Sequence, residues 1–263
     1  MSIDFENDSF FKPIKQKPRE TSVGPCNLPM LFNDSSFVGV IYRIDAKKVA
    51  ELLGVSSPFE PLLVFGKALC VVSAFEYRES TVGAYNEIAL VILVKRKGTT
   101  PSLFRMMLDI RKQEEQALWV VNMPVTTQEA RAAGFEIWGY PKYVTRIDTD
   151  FAADHTHVTL ENEFTLKMGN PGGLRIKGQP FANFTINEGH LIRTIVEVDN
   201  KVQFGAAGSV KLDIIGNGPT AKSIKTLGLE KLRPTLIFRT DEWRSILPEG
   251  KHFGFASEST VKD

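Results

Sequence analysis

The stretch GFEIWGYPKY, residues 134–143, places a single lysine, Lys142, in a strongly aromatic and apolar segment. Pro141 fixes its own φ and favours an extended Tyr140, so the backbone that carries Lys142 is held in place. An ammonium group is poorly solvated among aromatic side chains, and desolvation favours the neutral amine. Because a neutral amine is a nucleophile, Lys142 is a candidate for covalent catalysis. The alternative is that Lys142 extends along the aromatic surface and keeps its charge in solvent.

Outward from this stretch, the chain is dominated by β-branched and aromatic segments typical of strands. Strands are predicted at 37–44, 62–77, 85–94, 117–121, 144–147, 157–168, 174–186, 191–204, 209–215 and 235–239. Few helices interrupt them, and they are predicted at 46–53, at 126–134 with Gly134 closing the helix, and at 220–227. Since the pattern has no βαβ alternation, it predicts a β-rich α+β fold, a single domain whose antiparallel sheet is closed or strongly curved.

The composition excludes several classes of partner. Lys and Arg total 32 against 31 for Asp and Glu, a net charge of +1 that provides no broad field for nucleic acid or an anionic membrane. The longest apolar runs, such as 88–94, are too short to span a bilayer, and residues 1–19 have no apolar core of a signal peptide. Cys26 and Cys70 lie far apart and form no CxxC, which favours free thiols. We therefore expect a cytoplasmic protein.

The chain divides into three predicted parts. Residues 1–30 have little periodicity and are interpreted as an N-terminal arm, 31–245 as the barrel domain, and 246–263 as a C-terminal tail. Residues 102–113 have apolar side chains at helical spacing and form either a helix or an arm around a neighbouring subunit.

Other motifs of catalysis or cofactor binding are weak. His155 and His157 alternate on one strand, but no third metal ligand accompanies them. The GNGPTAK segment at 216–222 has the wrong spacing for a phosphate loop, and Pro219 removes a backbone donor. No G-x-S-x-G elbow is present. The sequence therefore predicts neither a metal nor a cofactor.

Two motifs resemble the acetoacetate decarboxylase family. The GFEIWGYPK segment is similar to the family's G-R-E-x-x-[GA]-[YF]-P-K, whose final lysine forms a Schiff base and corresponds to Lys142. GAYNE at 83–87 resembles the family's G-x-Y-x-E, whose glutamate lines the active site and corresponds to Glu87. Weaker matches are FVGVIYRID at 37–45 and GSVKL at 208–212.

The resemblance implies a fold and a reaction. The fold is a cone-shaped closed β-barrel with a buried active site, assembled as a homo-oligomer. Lys142 would add to a small-molecule carbonyl substrate, and Glu87 would orient this substrate or transfer protons. The residues expected to line the substrate pocket are Tyr85, Trp138, Tyr143 and Phe135.

Departures from the family pattern make the expected pocket more apolar. Tyr143 stands where the family has a second lysine, and Phe135 where it has an arginine. A further arginine of the family corresponds to Ser35, and a second acidic residue to Val71 or Val72. Because these changes remove cationic groups that would recognise a small carboxylate, the expected substrate is a keto compound other than acetoacetate.

Three functions are compatible with these residues. The first is a lyase that forms a Schiff base through Lys142, as in decarboxylation. The second uses the same imine for aldol addition or dehydration, since each reaction needs the same electron sink. The third is a barrel that binds an apolar small molecule without chemistry, in which Lys142 is an ordinary lysine.

Overall fold

Most of the structure is β-sheet. The computed structural model describes residues 8–101 and 110–255, which contain the strands β1 (Lys17–Arg19), β2 (Cys26–Leu28), β3 (Met30–Ile44), β4 (Phe59–Pro61), β5 (Leu63–Val64), β6 (Lys67–Ser80), β7 (Tyr85–Arg96), β8 (Gln116–Val125), β9 (Lys142–Val144), β10 (Ile147–Asp150), β11 (His155–Leu160), β12 (Phe164–Gly169), β13 (Arg175–Lys177), β14 (Phe181–Asn187), β15 (His190–Val198), β16 (Lys201–Ala206), β17 (Lys211–Ile214), β18 (Leu236–Thr240), β19 (Ser245–Leu247) and β20 (Lys251–Phe255). The helices are α1 (Ala46–Leu53), α2 (Gln128–Trp138) and α3 (Pro219–Leu227), with 3₁₀ turns at Ile110–Lys112 and Leu229–Lys231.

Seven strands close into a barrel in the order β3–β6–β7–β8–β14–β15–β19, and β19 returns to β3. Every pair in this ring is antiparallel except β14 with β8. The ring can close because β3 is 15 residues long and pairs with β6 on one edge and with β18 and β19 on the other. The predicted β-rich closed barrel is therefore confirmed.

The barrel wall is buried on both faces where β7 passes through it. Side chains alternate along a strand, so Glu87 and Ala89 face the barrel interior while Ile88 and Leu90 face outward. The outward residues belong to a second core beneath the sheet β10–β11–β12–β17 and helices α1 and α3. This two-sided burial explains why the 85–94 segment is almost continuously apolar.

Both predicted terminal segments contact the barrel. In the N-terminal segment, β1 pairs with β2, and Phe11 packs against Leu31 and Ile246. In the C-terminal segment, β20 pairs with β15. Residues 1–7 and 256–263 lie outside the described residues, as do 102–109 of the predicted helix or arm at 102–113.

No described helix is long and apolar enough to cross a membrane. In the part of the chain that the structure describes, no group of three His, Cys, Asp or Glu side chains is placed to hold a metal ion.

Candidate active site

The barrel encloses a cavity of about 470 Å³. Much of its wall consists of inward-facing residues of the ring, among them Tyr85, Glu87, Ala89 and Val91 of β7. These side chains share one face because successive side chains of a strand point to opposite sides.

Helix α2 and the turn after it bring Lys142 into this cavity. Thr127 caps the helix by accepting a hydrogen bond from the Ala130 N–H at 3.3 Å. The helix continues past Gly134, the predicted end, and stops at Gly139, whose φ of 70° is the left-handed conformation that glycine adopts readily. The chain then reverses, and Lys142 pairs with Met123 of β8. The lysine side chain is 6% exposed.

Lys142 forms a buried ion pair with Glu87. The lysine Nζ donates a hydrogen bond to Glu87 Oε2 at 2.7 Å, and the glutamate side chain is 7% exposed. The Tyr77 hydroxyl approaches the other carboxylate oxygen, Oε1, at 3.4 Å. The Tyr85 ring lies beside the lysine, with its centroid 5.5 Å from Nζ. The ammonium and the carboxylate thus have each other as partners, and a carbonyl compound in the cavity could reach both.

The two tyrosines beside the pair stay protonated. Burial raises the pKa of Tyr77 and of Tyr85 well above the ordinary phenol value, and the negative charge of Glu87 raises both further. Their hydroxyls are therefore neutral hydrogen-bond donors over the physiological pH range.

Two aromatic residues of the GFEIWGYPKY stretch also line the cavity. Trp138 is fully buried, and its indole N–H donates to the Pro248 carbonyl at 2.9 Å, which fixes the ring. The Tyr140 hydroxyl accepts a hydrogen bond from Asn183 Nδ2 at 3.2 Å. Of the predicted site residues, the structure brings together Lys142, Glu87, Tyr85 and Trp138.

The structure places the other two predicted pocket residues elsewhere. Phe135 is 47% exposed on the outer face of α2, where its ring lies under the Arg131 guanidinium. Tyr143 follows Lys142 on β9 and points to the opposite side of the sheet, where its hydroxyl donates to Glu163 Oε1 at 2.6 Å. We therefore leave Phe135 and Tyr143 out of the site.

Sequence reasoning missed much of the lining, including three polar residues close to the ion pair or to Trp138. Tyr140 lies within the quoted stretch but was treated only as the residue before a proline. Tyr77 pairs directly with Tyr85 across β6 and β7, a register that only the sheet reveals. Asn183 is on β14 and had no motif to mark it.

The cavity has few charged groups. Within residues 8–101 and 110–255, the charged side chains that line it are Glu87, Lys142 and the exposed Lys177, and no arginine does so. At the positions where the family pattern has charged residues, Val71 faces the cavity and Val72 faces the outer core. Ser35 is buried but does not line the cavity.

Comparison with solved structures identifies the fold as that of acetoacetate decarboxylases. The acetoacetate decarboxylase of Legionella pneumophila subsp. pneumophila str. Philadelphia 1 has 18% identity and a TM-score of 0.62, over 86% of this chain and 88% of that one. The enduracididine biosynthesis enzyme MppR, complexed with the condensation product of pyruvate and imidazole 4-carboxaldehyde, has 12% identity and a TM-score of 0.58, over 92% and 91%. An acetoacetate decarboxylase-like enzyme from Sphingomonas wittichii RW1 has 15% identity and a TM-score of 0.52, over 86% and 93%.

Comparison of the sequence with family models is more specific. Residues 11–168 match the family model "Acetoacetate decarboxylase (ADC)". The chain belongs to the acetoacetate decarboxylase family. No curated protein sequence gives a significant match.

Proposed function

We propose that the protein is a lyase that forms a Schiff base through Lys142 with a keto acid or related carbonyl compound other than acetoacetate. One observation carries the proposal: a lysine amine, 6% exposed, lies 2.7 Å from a buried carboxylate on the wall of a large, mainly apolar cavity. In the alternative, in which Lys142 keeps its charge in solvent, the amine would not be buried in this way.

The chemistry assigns a role to each member of the pair. Glu87 accepts a proton from the Lys142 ammonium, and the neutral amine adds to the substrate carbonyl. Glu87 returns this proton to the hydroxyl of the adduct, which leaves as water, and a protonated imine remains. When carbon dioxide departs from a β-keto acid, the electron pair of the broken C–C bond moves to the imine nitrogen and leaves an enamine. Protonation of the enamine carbon, followed by hydrolysis, releases the ketone and restores Lys142.

The volume and the lining of the cavity argue against acetoacetate as the substrate. A substrate of four carbons would fill little of about 470 Å³ and would leave most of the apolar surface in contact with water. No arginine among the described residues faces the cavity to hold a small carboxylate. A larger and less charged carbonyl compound therefore fits better.

The second candidate function uses the same imine for aldol addition and dehydration. The cavity volume favours it, since two reactants must then bind together. MppR, which has the same fold, was solved with a condensation product of pyruvate and an aldehyde. In this reaction a base, for which Glu87 is placed, removes a proton from the carbon next to the imine and leaves the enamine. The enamine carbon then attacks the second carbonyl, and water leaves instead of carbon dioxide.

The test is borohydride reduction in the presence of β-keto acids, 2-keto acids, aldehydes and diketones, followed by the intact mass of the chain. We expect a stable adduct with at least one compound, which is lost in Lys142→Met and kept in the control Lys211→Met, whose lysine is exposed. Release of carbon dioxide from that compound then supports the decarboxylase. A dehydrated condensation product with a second carbonyl compound supports the aldol reaction. No adduct with any compound would overturn both and favour the non-catalytic binding barrel.

A further inference from the structure

Six aromatic rings form a continuous row along the cavity wall, and all six line the cavity. The distances between neighbouring ring centroids are 4.7 Å for Tyr85–Tyr77, 5.2 Å for Tyr77–Phe75, 4.6 Å for Phe75–Phe37, 5.3 Å for Phe37–Phe238 and 5.8 Å for Phe238–Phe204. The row begins beside Lys142, whose Nζ is 5.5 Å from the Tyr85 centroid.

The far end of the row lies at the solvent-exposed edge of the cavity. Phe204 is half-buried on β16, and the neighbouring β13 contributes Ile176 and Lys177, both exposed, to the cavity lining. The row thus leads from the buried amine to the opening, which is the path that a bound molecule would occupy.

Strand β7, which lies beside the row and carries its first ring, Tyr85, gives the depth of the cavity. Glu87 and Val91 both face the cavity on β7, and four residues of strand span about 13 Å. Val71 pairs with Val91 and also faces inward, so the far part of the cavity is apolar. A cavity of this depth accommodates an extended tail of roughly ten carbon atoms.

The charges along the path disfavour an ionised group on the buried part of the tail. Glu87 and Lys142 neutralise each other at the inner end, and Lys177 lies at the exposed edge. The two buried arginines of the barrel, Arg193 and Arg239, donate to backbone carbonyls and do not line the cavity. A carboxylate or phosphate on the buried part of the tail would lose its hydration without a compensating cation.

We infer that the substrate carries an uncharged apolar tail ending in an aryl group, bound along the aromatic row with its carbonyl at Lys142. Aromatic side chains favour offset or edge-to-face contacts with a ligand ring, whereas a purely aliphatic tail gains only from burial. The inference rests on the proposed function for its reacting carbonyl, but binding of the tail is separable from chemistry.

Alcohols test the tail site alone, because they cannot form an imine. Calorimetric titration of the wild-type chain uses butan-2-ol, octan-2-ol and 4-phenylbutan-2-ol. From butan-2-ol to octan-2-ol the affinity should rise about fourfold for each added methylene. The phenyl compound should bind roughly two- to tenfold tighter than octan-2-ol. Equal affinities for all three alcohols would overturn the inference, and phenylbutanol no tighter than octanol would overturn its aryl part.

Variants locate the site. Phe238→Leu interrupts the row. Phe204→Leu shortens the row at its far end, where the position is half-buried, so that a loss of folding does not confuse the result. Either should lower the preference for the phenyl compound over octan-2-ol to less than half of the wild-type ratio. The matched control is Phe65→Leu, since Phe65 is 92% exposed and outside the cavity. An unchanged ratio in both row variants would contradict the inference.

Borohydride trapping separates this inference from the proposed function. A set of 3-oxo acids with short, long and phenyl-bearing tails should be trapped with the same order of preference as the alcohols. Tail-dependent binding without any adduct would support the tail site and overturn the Schiff base. Adducts that form equally with every tail would support the Schiff base and overturn the tail site.

Discussion

Gly134 lies directly against the side chain of Lys142. A Cβ added at position 134 would stand 2.5 Å from Lys142 Cδ, closer than real Cβ contacts allow, and 3.0 Å from Nζ, which is tighter than most of them. The atoms that would have to move belong to the flexible end of the lysine, not to the backbone. The missing side chain of Gly134 therefore creates the space in which the amine meets Glu87.

Gly134→Ala should separate catalysis from stability. Alanine favours a helix by about 0.5–1 kcal/mol over glycine, so α2 should be as stable as before or more so. The displaced lysine should form an imine roughly tenfold to a hundredfold more slowly, because small misplacements of a reacting group are costly. Rates of borohydride trapping and thermal unfolding measure the two effects.

The matched control is Gly172→Ala, since an added Cβ there would meet nothing within 4 Å. It should leave the trapping rate unchanged. A Gly134→Ala protein that traps as fast as the wild type would contradict the role assigned to this contact.

The Lys142–Glu87 pair should affect stability through the charge left behind when one member is removed. Lys142→Met leaves Glu87 buried without its cation, which costs about 3–5 kcal/mol of unfolding free energy. The double variant Lys142→Met/Glu87→Leu should regain most of this loss, because two apolar side chains need no partner. Urea denaturation gives the three free energies.

An exposed ion pair provides the comparison. Arg146 and Asp148 lie 3.0 Å apart with exposures of 69% and 56%, so Arg146→Gln should leave the urea midpoint unchanged. If Lys142→Met also left the urea midpoint unchanged, Glu87 would not be a buried charge without a partner in that variant. The burial assigned to the pair would then be wrong.

The chain should unfold at alkaline pH through its tyrosines. All five have a raised pKa, chiefly because of burial: Tyr42, Tyr77, Tyr85, Tyr140 and Tyr143. The folded chain keeps phenol protons that the unfolded chain releases near pH 10. The stabilisation is thus complete below about pH 10 and is lost as the pH rises above it.

Tyrosinate absorbance and near-ultraviolet circular dichroism, followed together, test this behaviour. Tyrosinate should appear only as the tertiary signal disappears, whereas the chain in urea should titrate near pH 10. A tyrosine that ionises near pH 10 while the tertiary signal persists would contradict the burial of the phenols.

Tyr143 and Phe135 should not influence the reaction. Tyr143→Phe removes the hydrogen bonds to Glu163 and to Thr220 Oγ1, which lie 2.6 Å and 2.7 Å from the phenol oxygen, and should cost about 1–3 kcal/mol of stability. Phe135→Ala removes an exposed ring and should be nearly neutral. Both variants should trap carbonyl compounds at the wild-type rate, and a large loss of rate in either would return that residue to the site.

Period-two apolar patterns predicted most of the strands but not where they bend or break. The strand predicted at 37–44 begins at Met30, because a register shift near Asp34 lets the polar residues before Phe37 join the sheet. The segment predicted as one strand at 157–168 is two strands, with Asn162 in the left-handed conformation at the turn (φ 57°). A single asparagine within an alternating run gives little warning of such a turn.

The candidate site was predictable only where residues are close in sequence to a motif. Lys142, Glu87, Tyr85 and Trp138 follow from two short motifs. The side of the sheet to which Tyr143 points was not predictable, because it depends on how β9 pairs with β8. Closure of the barrel brings together residues such as Phe37 and Phe238, about two hundred positions apart in the sequence, and no local pattern reports that contact.

The most direct test of the central claim is to locate the reduced adduct by peptide mass spectrometry. Lys177 also lines the cavity and is exposed, so it competes with Lys142 for any carbonyl probe. At limiting probe concentration, we expect the adduct on the peptide bearing Lys142. An adduct on Lys177 or another exposed lysine, with Lys142 unmodified, would contradict it.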